Sequence, residues 1–126
     1  MMQRIDLAPL LRETVATPYS DMVTRSTGAA LRDRIEQTIA GASHRTTQLD
    51  FTAVGLLDFS CADEVVAKLL LRVATEDEHY VVLSGVTDSH LDAIDHVLER
   101  HGLSVAALTD GETAPRVTCL IMYPFS

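Results

Sequence analysis

The chain contains no tryptophan, only two cysteines and few aromatic residues, which make up 5% of its 126 positions. Cys61 and Cys119 form no CxxC pair, so the sequence carries neither a redox motif nor a paired zinc motif. We expect both thiols to be reduced and buried, as in a cytoplasmic protein. No apolar run approaches the ~18 residues of a membrane span. Charged residues interrupt the opening stretch MMQRIDLAPLLRETV, and no signal peptide is predicted.

Basic residues are also scarce: 10 lysines and arginines stand against 18 acidic residues, a formal charge of −8. That field repels a phosphate backbone or an anionic membrane, so neither is expected as a partner. Apolar residues make up 47% of the chain, which favours a buried core over disorder. No repeat or linker divides the sequence, and residues 1–126 are predicted to form one domain.

Apolar residues at helical spacing indicate two amphipathic helices before residue 75. The first covers STGAALRDRIEQTIAG, with Ser26 or Thr27 as its N-cap and Gly41 as its end. The second runs from Cys61 to about Ala74 and is the clearest element in the sequence. A third helix is predicted over SHLDAIDHVLERHG, with its N-cap at Asp88 or Ser89 and its stop at Gly102.

Strand patterns alternate with these helices. Residues 1–20 give the weakest pattern and form either an edge strand or an N-terminal extension. Residues 79–86 are almost all apolar, which is typical of a strand covered on both faces. Further strands are indicated at 21–24, at 46–54, and in LSVAAL and RVTCLIMY, with a turn at Asp110-Gly111. The order predicts an α/β domain with helices packed on a mixed sheet that ends in a hairpin.

The segment DFSCADE, at the start of the second helix, is the first candidate site. Ser60 is expected to act as the N-cap and to accept the N–H of Asp63, which stabilises the helix by ~1 kcal/mol. Asp63 and Glu64 then lie in the first turn, where carboxylates suit the positive end of the helix. Glu64, Lys68 and Arg72 follow at intervals of four, which predicts an exposed ladder of ion pairs.

The segment Arg25-Ser26-Thr27-Gly28 is the second candidate, because backbone N–H groups at a helix start attract anions. It lacks the lysine and the glycine spacing of a phosphate loop, and a helix cap beside a surface arginine is the simpler interpretation. Arg25 is the position best suited to a polar contact with a ligand or partner. The five histidines show no zinc-binding spacing, and neither a metal nor a cofactor is predicted.

LDFTAVGLLDFSCADEVVAKLL resembles the central segment of STAS domains, the fold of anti-sigma-factor antagonists and sulfate transporters, in which a strand leads into an Asp-Ser-Ser/Thr-Gly-like turn and a helix. YVVLSGVTDSHLDAIDHVLERHGL resembles the next strand and helix of that fold. The LDF…V…FxxADE pattern, with Arg25 and Gly28, looks like the STAS-like group of uncharacterised bacterial domains. Phe59 occupies the position of the family's phosphoryl-accepting serine, Ser60 matches the second hydroxyl, and Cys61 replaces the glycine.

The resemblance implies a cytoplasmic, non-enzymatic regulatory module that binds a kinase-like ATPase or sensor protein. The residues expected to meet that partner are Arg25, Asp58, Ser60, Asp63 and Glu64, with Ser60 as a candidate phosphoryl acceptor. The overall acidity predicts a partner with a basic patch.

Two alternatives stay open. One is an enzymatic or small-anion-binding domain with its site near Arg25, Asp58 and Cys61. In it, Cys61 at a helix start is weighed as a nucleophile against a simple buried thiol. The other is a homo-oligomer formed through an exposed edge strand.

Overall fold

The computed structural model describes residues 2–16, 18–41, 45–74, 79–109 and 116–118. Their strands and helices are β1 (Met2–Asp6), α1 (Leu7–Val15), α2 (Arg25–Ala40), β2 (Thr46–Asp50), α3 (Phe59–Ala62), a π-helical segment (Asp63–Lys68), α4 (Leu69–Ala74), β3 (Tyr80–Val86), α5 (Asp88–His101), β4 (Val105–Thr109) and β5 (Arg116–Thr118). The middle three helical pieces follow one another without a break and are called the 59–74 helix below. The predicted α/β class is confirmed. None of the described helices is both long and apolar enough to cross a membrane.

The five strands lie in the sheet in chain order, β1-β2-β3-β4-β5. The first four are parallel, and β5 pairs antiparallel with β4, so the predicted mixed sheet with a final hairpin is confirmed. The turn predicted at Asp110-Gly111 lies outside the described residues. β1 confirms the edge strand within residues 1–20. The strand predicted over 46–54 ends at Asp50, and the one over 21–24 shrinks to a single bridge between Met22 and Leu57.

The helices pack in a row on one face of the sheet, in the order α1, α2, the 59–74 helix and α5. Parallel strands in chain order require this arrangement, because right-handed crossovers between successive neighbours all pass over the same face. Tyr80 is exposed and Val82 half-buried, so the prediction that β3 is covered on both faces is wrong at these positions. On the helix-facing side, one buried row crosses the strands: Ile5, Leu49, Leu83 and Ala107.

The N-caps of α2 and α5 lie earlier than predicted. Thr24 caps α2, and its Oγ1 accepts the N–H of Thr27 at 3.3 Å. Thr87 caps α5. Its Oγ1 accepts the backbone N–H of His90, and His90 Nδ1 accepts the backbone N–H of Thr87, both at 3.1 Å. The predicted caps, Ser26, Thr27, Asp88 and Ser89, instead belong to the first turns. Adjacent hydroxyl and carboxylate residues are all competent caps, and the spacing of apolar residues does not choose among them.

Candidate functional site

Asp58 joins the starts of two helices. It has the extended backbone of an N-cap, and its Oδ1 accepts the N–H of Cys61 at 2.7 Å. Its Oδ2 accepts the N–H of Thr24, the cap of α2, at 2.9 Å. The prediction that Ser60 is the cap is therefore wrong, and the helix begins at Phe59 instead of Cys61. An aspartate caps a helix as well as a serine does, and here its second oxygen also secures the neighbouring helix.

The three residues after Asp58 differ in exposure. Phe59 is 54% exposed, and its ring stacks on that of His96 at a centroid distance of 4.3 Å. Ser60 is half-buried in the first turn. Cys61 is fully buried, as predicted. Burial, reinforced by the negative charges of Asp58 and Glu64, raises the pKa of the Cys61 thiol to about 12. At neutral pH this thiol stays protonated, which is unfavourable for a nucleophile.

Arg25, Asp63 and Glu64 meet where α2 crosses the 59–74 helix. Arg25 Nη1 donates to Asp63 Oδ2 at 2.8 Å and to Glu64 Oε2 at 2.6 Å. Only 8% of Asp63 and 2% of Glu64 is exposed. The structure thus brings together three of the predicted partner-contact residues, but both carboxylates are buried and already bound to cations within the chain.

Further basic side chains surround the same two carboxylates. Glu64 also accepts hydrogen bonds from Arg32 Nε at 3.3 Å and from Lys68 Nζ at 2.8 Å. His101 Nε2 lies 2.8 Å from Asp63 Oδ1. Outside this core, Glu36 on α2 accepts Arg32 Nη1 at 2.7 Å and Arg72 Nε at 2.8 Å. Together these residues form a charged network between α2, the 59–74 helix and the end of α5.

The exposed ladder predicted from Glu64, Lys68 and Arg72 is therefore wrong in one essential respect. Its first member is buried, and Arg72 pairs with Glu36 of the neighbouring helix. Only the pair between Glu64 and Lys68 matches the prediction. Spacing of four places charges on one side of a helix, but it does not say whether that side faces water or another helix.

The network determines the protonation of its carboxylates. Burial alone raises the pKa of Asp63, but hydrogen bonds from Arg25 and His101 outweigh it, and the net pKa lies below its ordinary value. Burial likewise raises the pKa of Glu64, and the hydrogen bonds from Lys68 and Arg25 reverse the sign, so this pKa is also lowered. Both groups are ionised at neutral pH.

Close packing at Gly28 allows the two helices to enclose Glu64. A Cβ at this position would lie 2.9 Å from Glu64 Cβ, closer than real Cβ atoms approach, and 3.0 Å from Cys61 Cα, which is also a very tight contact. The part of the 59–74 helix beside it, Asp63–Lys68, is π-helical, a rare conformation that is frequent at functional sites. Thr24, which precedes Arg25, has φ of 73° and ψ of 145°, a strained backbone for a branched residue.

Exposed apolar side chains gather at the loops that precede α2 and the 59–74 helix. Hydrogen bonds join these loops from Met22 N–H to the Leu56 carbonyl at 2.7 Å and from Asp58 N–H to the Met22 carbonyl at 3.1 Å. The bridged pair Met22 and Leu57 faces the core, and alternation turns their neighbours outward. The exposed set, called the apolar loop surface below, is Tyr19 (70%), Val23 (36%), Leu56 (64%) and Phe59 (54%).

No metal-binding cluster of three or more histidine, cysteine, aspartate or glutamate side chains occurs among the described residues. His90 has a structural role, because its Nδ1 accepts the Thr87 N–H and its Nε2 lies 2.8 Å from the Gly55 carbonyl oxygen. Comparison with protein-family models, with curated proteins and with solved structures gave no match.

The apolar loop surface and the role of Arg32 were not predicted from the sequence. Arg32 lies seven residues after Arg25, so both project from the same side of α2, and this spacing was an available signal. Leu56 and Phe59 flank a short loop, where apolar residues have no periodicity that separates exposed positions from buried ones.

Proposed function

We propose that this chain is a non-enzymatic, STAS-like regulatory module of the cytoplasm that binds a partner protein through its apolar loop surface. The resemblance described above suggests a kinase-like ATPase or a sensor as that partner. The observation that carries the proposal is the exposure of Leu56, on a loop held by backbone hydrogen bonds, and of Phe59, at the helix start that follows this loop. Clustered exposed apolar side chains on an ordered surface are typical of protein-binding sites.

Arg25 and Ser60 border this surface and keep their proposed place in the interface, since Arg25 is half exposed and Ser60 half-buried. Asp58, Asp63 and Glu64 lie behind it and orient the helices that present it. Their substitution would therefore change binding indirectly, through the fold. Phe59 combines a large apolar surface with a position at the helix start, and aromatic side chains of this kind dominate interface energetics.

The test is affinity capture from a lysate of the source organism, with the tagged full chain as bait. We expect Leu56→Ser/Phe59→Ser to lose the captured partner by about tenfold or more. The matched control is Leu71→Ser/Tyr80→Ser, which removes exposed apolar residues from α4 and the opposite end of the sheet and should capture normally. Equal capture by both variants, or no specific partner with the wild type, would contradict the proposal.

Intact-mass measurement of the recovered chain tests Ser60 at the same time. An increase of about 80 Da, absent in Ser60→Ala, would identify this residue as a phosphoryl acceptor despite the phenylalanine before it. An unmodified chain bound to its partner would support regulation by association alone.

A further inference from the structure

A second surface, cationic in character, continues from the apolar loop surface. Arg25, Arg32, Lys68 and Arg72 line the contact between α2 and the 59–74 helix, and are called the basic ridge below. The exposed fraction of the side chain is 50% for Arg25, 17% for Arg32, 42% for Lys68 and 64% for Arg72. Among the described residues, the carboxylates that pair with Arg25, Lys68 and Arg72 are less exposed than these three cations: Glu36 at 21%, Asp63 at 11% and Glu64 at 3%. Arg32 lies further inward, beside Glu36. Positive charge is therefore outermost here, on a chain whose net charge is −8.

The two arginines of α2 keep unused hydrogen-bond donors. Arg25 makes both of its ion pairs through Nη1, and Arg32 makes its pairs through Nε and Nη1. The Nη2 group of each donates to no side chain or backbone atom among the described residues. Arg25, which is held by Asp63 and Glu64 and is half exposed, is suited to a second carboxylate, because its planar donors match carboxylate geometry.

We propose that the basic ridge binds a carboxylate-rich segment of the partner protein; this inference rests on the proposed function and specifies the partner's chemistry. Arg25 directly follows the loop that carries Val23, so the ridge and the apolar loop surface are contiguous. Arg25 and Arg32 both donate to the Glu64 carboxylate, so their guanidinium groups lie close together. The segment that fits therefore presents closely spaced acidic side chains next to an apolar anchor. The overall acidity of the chain predicted a basic partner patch, whereas the local charge at this surface favours an acidic one.

Fluorescence anisotropy with labelled hexaglutamate as the probe tests this inference on the full chain. At low salt we expect saturable binding to the wild type. Lys68→Gln/Arg72→Gln should weaken it by about fivefold, and Arg34→Gln/Arg100→Gln, which removes the same charge from other surfaces, should change it less than about twofold. Arg25→Gln provides an independent variant whose fold is checked by circular dichroism. Its expected effect is a similar loss of hexaglutamate binding.

Three results would overturn the inference: no saturable binding of hexaglutamate, equal weakening by the ridge and control variants, or equally tight binding of phosphatidylserine vesicles. The first two would mean that the ridge has no specific affinity for carboxylates, and the third that it is a general anion surface. Hexaglutamate binding does not involve Leu56 or Phe59, so it would persist if the proposed apolar interface failed. Conversely, capture that depends on Phe59 would persist if the ridge were inert.

Discussion

The 59–74 helix exposes an aromatic side chain and buries a charged one within two turns. Phe59 is 54% exposed, whereas Glu64 is 2% exposed. Three cations satisfy the buried carboxylate, so its burial is explained within the chain. The exposed aromatic ring stacks on that of His96. An unusual position is informative about function only when no contact within the chain accounts for it. The ion pairs of Glu64 account for its burial, whereas the exposure of Phe59 is the observation on which the proposed interface rests.

Removal of the buried charge should have the largest effect on stability. Glu64→Ala leaves Arg25, Arg32 and Lys68 without their shared carboxylate, and breaking a buried ion pair from one side is strongly destabilising. We expect a loss of about 3 kcal/mol in the free energy of unfolding, measured by urea denaturation. Glu99→Ala on the exposed side of α5 is the control, with an expected change under about 0.5 kcal/mol. Similar values for both variants would mean that the network contributes no stability.

A methyl group added at Gly28 should force the two helices apart. Alanine is the better helix former by about 1 kcal/mol, but its Cβ would collide with Glu64 Cβ and the backbone of Cys61. We expect Gly28→Ala to destabilise the protein by about 1–3 kcal/mol. At Gly41 the nearest atoms to an added Cβ are 3.5 and 4.0 Å away, so Gly41→Ala should be nearly neutral. A stabilised Gly28→Ala variant would contradict the close packing that encloses Glu64.

Acid should remove part of the network's contribution. The folded-state pKa values of Asp63 and Glu64 are lowered, so their stabilisation is complete above the pKa values of the unfolded chain and is lost as pH falls through the folded values. The free energy of unfolding should therefore decline below about pH 4. The Glu64→Gln variant has no titratable group at this position, so its free energy of unfolding should decline less steeply with falling pH. Parallel pH profiles for the two proteins would exclude Glu64 from acid unfolding.

The smallest effect on stability is expected at the exposed aromatic residue. Phe59→Ser loses a stack on His96 that is open to solvent, and we expect a change of about 1 kcal/mol or less. Phe51→Ser, at a fully buried position, should cost at least about 3 kcal/mol and serves as the contrast. A large loss at Phe59 would show that this residue acts through the fold, and would remove the comparison on which the proposed interface depends.

Much of the fold could be predicted because apolar periodicity reports directly on burial. The positions of α2, β3 and α5 followed from it, and the final hairpin followed from the short separation of the last two strands. Helix caps were placed one to three residues late, since Thr24, Asp58 and Thr87 each stand near other residues that cap equally well. The chosen cap depends on tertiary contacts, such as the bond from Thr24 N–H to Asp58.

The candidate site was only partly predictable. Arg25, Asp63 and Glu64 were each identified, and the structure places them in contact. Their burial was missed because a charged side of a helix has the same sequence pattern whether it meets water or an oppositely charged helix. Gly28 and Arg32 of α2 lie against Glu64 and would indicate its burial, but only when the two helices are known to be neighbours.

The two hydrogen bonds that Asp58 accepts limit where this chain tolerates insertions. One carboxylate fixes the first turn of the 59–74 helix and the residue that caps α2, so the lengths of the loops at 18–24 and 51–58 are coupled. An insertion in either loop would have to preserve the reach between Thr24 and Asp58, or both helix starts would shift together. Related chains and redesigned versions should therefore vary these two loops jointly, and should accept independent length changes at other connections first.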